Sequence, residues 1–139
     1  LDFKGDNQVG QVSGWRLAGM LLGLAALPAA AHHSFAAEYD QDKPIKLTGT
    51  VTKFDVTNPH SWIYIDVKNA DGKLVNWGFE TASAANLYRR GIRKDTVKPG
   101  TVVTIQGYLA KDGTNTGNAQ TMTLPDGTQM ILGTEQNPG

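Results

Sequence analysis

The stretch Ile45-Lys46-Leu47-Thr48-Gly49-Thr50-Val51-Thr52-Lys53-Phe54 decides the fold. Apolar and polar residues alternate along it, the period of a strand with one buried face. Leu47, Gly49, Val51 and Lys53 share a face, and the phase breaks to Phe54 near the end. An internal glycine at 49 predicts a bend or bulge, which a strand coiling into a small barrel requires.

Downstream the pattern stays almost entirely β. Trp62-Ile-Tyr-Ile-Asp-Val67 is rich in aromatic and β-branched residues and predicts a second strand. Asn69-Ala-Asp-Gly72 predicts a hairpin turn, because Asp-Gly supplies the positive φ of tight turns, and Lys73–Glu80 returns as a third strand. Then comes the one helical passage of the body: Ser83 as N-cap, Ala84–Arg90 as helix, Gly91 as stop. Pro99-Gly100 turns the chain into Thr101–Ala110, a fourth strand with an internal Gly107. A polar loop, Lys111–Asn118, leads to Ala119–Leu124, and the turn Pro125-Asp-Gly127 gives a last strand, Thr128–Leu132. The tail Gly133–Gly139 is expected to fray. Three strands, a short helix, then two or more strands is the order of an OB-like barrel of five to six strands, its helix lying between strands three and four. The glycines at 49 and 107 suit its coiled strands.

Upstream, Leu17–Leu27 is an apolar run preceded by Arg16 and followed by Pro28-Ala29-Ala30-Ala31. These are the parts of a signal peptide, expected as a helix, and they place the body in the periplasm or outside the cell. Eleven residues rise only about 16 Å as a helix, too short for a membrane span. Leu1–Gly14 starts without Met and shares nothing with the body; it reads as a mis-called start or fragment edge, with Met20 an alternative start. The expected division is therefore 1–31, extension and signal, and 32–139, one barrel domain. With no cysteine, a lipid-linked terminus, disulfides and thiolate metal sites are excluded.

The chain carries 13 Lys+Arg and 13 Asp+Glu; two of each (Lys4, Arg16; Asp2, Asp6) precede residue 32, so the body is balanced too. Nucleic-acid binding needs a basic surface, and none is expected here. No nucleophile triad, paired-acid motif, phosphate loop or dinucleotide fingerprint is present.

All three histidines fall at two places: His32 and His33 at the signal exit, and His60 in Asn58-Pro59-His60-Ser61-Trp62. Ala29 and Ala31 satisfy the small-residue rule for cleavage before His32. The new α-amine and imidazoles would then form a tetragonal nitrogen set, which copper(II) prefers. Cleavage one residue earlier gives Ala-His-His, a square-planar trap for the same metals. His60, at the entry of strand two behind Pro59, is the third candidate ligand. Asn58, Glu38 and Glu80 are the candidates for its outer support. The first expectation is thus a small copper-binding protein using His32, His33 and His60. The alternative is a metal-free binding module for a cell-envelope protein, peptide or glycan, with a groove at Asn58, Trp62, Tyr64 and Glu80. Trp62 and Tyr64 would form its aromatic platform, although core packing competes for them and for Trp77. A hydrolase with His60 as base is a third reading, weakened by the missing nucleophile motif. Arg89, Arg90, Arg93 and Lys94 read as a solvated helix end, and Asp112–Asn118 as a turn lacking the oxygens of a calcium loop.

Ala31-His-His-Ser-Phe35, Thr57-Asn-Pro-His-Ser-Trp62, Arg89-Arg-Gly-Ile-Arg-Lys94 and Asn115-Thr-Gly-Asn-Ala119 together resemble small secreted bacterial proteins grouped as a domain of unknown function. The resemblance runs from His32 to about Leu132, and Thr81–Gly100 also resembles periplasmic OB-fold proteins. It implies location and barrel fold, and brings no activity or catalytic residues with it.

Overall fold

The computed structural model describes residues 35–133. The signal segment, His32, His33 and the tail beyond Gly133 lie outside the described residues. The order is α1 (Phe35–Glu38), β1 (Tyr39–Asp55), β2 (Ser61–Lys68), β3 (Leu74–Thr81), α2 (Ala84–Arg89), β4 (Val102–Ala110), β5 (Thr116–Thr123) and β6 (Gln129–Ile131). The sheet runs β3-β2-β1-β4-β5-β6, and a further β3–β5 pairing closes it into a ring. Neighbours are antiparallel except at that closure, where β3 and β5 run parallel. With α2 between β3 and β4, this is the expected OB-like small barrel.

β1 is long because it serves two neighbours. Residues 39–50 pair with β4 and 50–55 with β2, so the strand must bend between them. Gly49 sits at that bend; a Cβ there would lie 2.5 Å from the Asp66 carbonyl oxygen, so the strands approach too closely for any side chain. A register shift between Val51 and Lys53 explains the phase break: Val51 and Phe54 are both buried while Lys53 faces solvent. Gly107 marks the second bend, with a register shift beside it and an added Cβ only 1.9 Å from the Asn118 carbonyl oxygen.

Inward positions make one core: Val51, Phe54, Ile63, Ile65, Phe79, Val103, Ile105 and Met122 from the strands, with Leu87 from α2. Ser83 caps α2 by accepting the Asn86 amide at 3.3 Å, and Gly91 follows at φ +75°. Leu87 is fully buried, worth about 2 kcal/mol for a side chain of that size.

Three expectations need correction. β1 starts at Tyr39 rather than Ile45, because its polar beginning pairs with Ala110 and Leu109. The loop after β4 ends at Asn115 rather than Asn118: Thr116, Gly117 and Asn118 form the closure with Gly78, Phe79 and Glu80. The arginines are not uniformly solvated either. Arg90 donates to the carbonyls of Gly133 at 2.7 Å and Ile131 at 3.3 Å, tying the end of α2 to β6. Among the described residues no helix is long and apolar enough to cross a membrane.

Candidate functional site

Two cross-strand rows lie on the outer face beside the ring closure: Trp62–Glu80–Asn118 and Tyr64–Gly78–Thr116. Glu80 sits in the middle of the first row, yet it is only 7% exposed. A carboxylate on an outer face stays buried only when other groups cover it and satisfy its oxygens. Here the cover comes from both directions. Tyr39 O–H donates to Oε2 of Glu80, and Nδ1 of His60 meets Oε1.

His60 is delivered by a tightly tied loop. The Ser61 hydroxyl accepts from the Thr57 amide and donates to the Thr57 carbonyl, both at 3.0 Å, closing the five residues on themselves. Thr57 and Ser61 are also held to Ala84 and Ala82 by backbone bonds. The Asn58–Pro59 bond is cis. With Nδ1 at Glu80, the His60 side chain remains 39% exposed. A neutral imidazole whose Nδ1–H donates to a carboxylate keeps its Nε2 lone pair for a ligand.

Tyr39 comes from the first residue of β1, and α1 is bound to the barrel just ahead of it. Phe35 packs edge-on to Tyr108, with ring centroids 5.6 Å apart, and lies 5.5 Å from the Tyr39 ring. Lys111 donates through its amide to the Glu38 carbonyl at 2.8 Å and through Nζ to the Ala36 carbonyl at 2.6 Å. Burial, then the charges of Glu38 and Asp112, push the Tyr39 phenol up to about 12. It therefore stays a neutral donor across the physiological range.

Of the expected site residues, the structure brings together His60 and Glu80, with Trp62 beside Glu80 in the same row. Asn58 is exposed on the loop, two residues before His60. Trp62 and Tyr64 share the outer face, their rings 6.3 Å apart and within 20° of parallel. Trp77 points the other way, stacks on Phe79 and packs on the core. His32 and His33 lie outside the described residues, and among the described residues no three His, Asp or Glu side chains cluster as a metal group. Tyr39 was missed by sequence reasoning; the only signal was an aromatic residue in an otherwise polar stretch.

The molecule is thus a small closed barrel that carries, at its ring closure, a histidine oriented by a buried carboxylate. The chain belongs to a family of unknown function, DUF6152, which it matches over residues 20–120. No curated protein and no solved structure matches it.

Proposed function

We propose that this is a periplasmic or secreted copper-binding protein whose site joins Nε2 of His60 to nitrogen donors of the processed N-terminus, His32 and His33. The observation that carries the reading is the His60–Glu80–Tyr39 chain, in which Nδ1 of His60 and the Tyr39 hydroxyl each meet one oxygen of the buried Glu80 carboxylate. A histidine that ligates a metal commonly donates its other ring N–H to a carboxylate, which fixes the ring and raises its basicity. Glu80 holds the His60 ring from its Nδ1 side in this way, and Tyr39 fixes Glu80.

Chain length supports the join. Tyr39 is six residues after His33, and α1 occupies four of the positions up to it, so the Cα–Cα span is at most about 15 Å. The same pairing of histidine and carboxylate orients a general base in hydrolases. The neighbouring Ser61 hydroxyl, however, is buried and occupied by Thr57, so it supplies no nucleophile.

Competition titration with Cu(II) on protein processed at His32 or Ala31 tests the reading. His60→Ala is expected to weaken binding at least about tenfold, equivalent to 1.4 kcal/mol. Glu80→Gln is expected to lower affinity by about 10–100-fold as an outer-support change. Parent-like affinity in His60→Ala removes the shared site, leaving at most a trap confined to the terminus.

A further inference from the structure

Beside the His60–Glu80 pair lies a cleft of about 540 Å³, walled by Trp62 and Tyr39 and rimmed by Glu38, Lys111, Asp112 and Thr116. Its volume falls in the range of small-molecule sites, roughly 300–1,000 Å³. The second cross-strand row explains the room. Gly78 stands between Tyr64 and Thr116, and an added Cβ would meet Tyr64 at 3.2 Å and Trp62 at 3.7 Å. Both rings therefore reach over bare backbone, and Trp62 keeps a partly exposed surface toward the cleft.

The chemistry of the walls selects a ligand. One side offers an indole, an apolar ring surface. The other offers two carboxylates, an ammonium and a hydroxyl, which accept and donate hydrogen bonds at short range. A wholly apolar ligand would strip water from those groups without replacing it. An anion would meet the carboxylates of Glu38 and Asp112, and a bare cation, though drawn by those two carboxylates, would leave the Lys111 ammonium, which the Ala36 carbonyl holds in place, and the indole face unused. A neutral ring with C–H bonds on one face and hydroxyls around its edge satisfies all of them. Asp112, fixed by accepting both the amide and the hydroxyl of Thr114, is a pre-set acceptor for such a hydroxyl. We infer that the cleft is a carbohydrate site, in which a pyranose ring stacks on Trp62 and its hydroxyls bond to Glu38, Lys111 and Asp112. It shares Tyr39 with the histidine site but needs no metal.

Amide and indole NMR shifts of the folded protein, titrated with cellobiose and with maltose, test this. Glycerol serves as the ringless polyol control and tetramethylammonium chloride as the cation control. Saturable shifts are expected at Trp62, Ala110, Lys111 and Thr116 with at least one disaccharide and not with glycerol. Trp62→Ala is expected to weaken that binding at least about tenfold, and Trp62→Phe to retain most of it. Asp112→Asn, which leaves the aromatic wall intact, is expected to weaken it several-fold and covers the case in which Trp62→Ala fails to fold. Chelating any metal with EDTA should leave the saccharide titration unchanged, which separates this site from the copper reading. The proposal is overturned if neither disaccharide gives saturable cleft shifts, if the shifts map elsewhere, or if tetramethylammonium alone produces them.

Discussion

Removing one oxygen atom, in Tyr39→Phe, tests how the site is held. Tyr39 is 4% exposed and its hydroxyl serves Glu80, itself 7% exposed. Phenylalanine keeps the ring's packing against Phe35 and deletes only the donor. A hydrogen bond to a charged group is worth about 1.5–3 kcal/mol, and the carboxylate left behind cannot recover it from solvent it hardly touches. We expect a loss of about 2 kcal/mol, which for a domain of this size lowers Tm by about 10 °C. Chemical unfolding followed by circular dichroism measures it. The pH dependence gives an independent reading. The folded-state phenol is raised from 10.0 to about 12, so its contribution is fully present below pH 10.0 and fades as pH rises through about 12. The gap between parent and variant should therefore narrow over that window. A variant within about 0.5 kcal/mol of the parent at neutral pH refutes the reasoning, because losses that small are ordinary for surface changes. So does a gap that ignores alkali.

Gly107→Ala forces a methyl group to 1.9 Å from the Asn118 carbonyl oxygen and should cost upwards of about 3 kcal/mol by urea unfolding. Gly91→Ala, where φ is +75° but nothing lies within 4 Å, should cost only about 1 kcal/mol, so similar losses at both sites would contradict the close approach. Ser83→Ala removes the acceptor of the Asn86 amide and should cost about 1 kcal/mol, measured the same way. Arg90→Met cuts the bonds to Gly133 and Ile131; faster amide exchange at Met130–Leu132, with the β2–β3 hairpin unchanged, is the expected signature.

What the sequence made legible was whatever the chain decides locally. The turn at Asn69–Gly72, the Ser83 cap and the bends at Gly49 and Gly107 each rest on a few neighbouring residues, and each was readable. The polar start of β1 was not, because Asp40, Gln41, Asp42 and Lys43 carry no strand pattern and β4 supplies their partners. Thr116-Gly-Asn118 was hidden for the same reason, since it becomes a strand only against β3. His60 was visible as chemistry. Glu80 could not be ranked above Asn58 or Glu38, because its two partners lie 20 and 41 positions away and only the folded register brings them to it. One clue was available in hindsight: a carboxylate at the apolar end of a strand, between Phe79 and Thr81, asks for a reason.

The closure between β3 and β5 also has a kinetic meaning. Its outermost pair, Glu80 and Asn118, joins points 38 residues apart, whereas the β2–β3 hairpin closes through a turn of a few residues. Contacts between distant parts of a chain carry the larger loop-entropy cost and tend to form after local ones. Glu80 therefore meets Asn118 and Tyr39 late in folding, even though His60 arrives early, just ahead of the adjoining strand β2. A ligand held at this seam would bind the finished barrel alone, and would leave partly folded chains untouched.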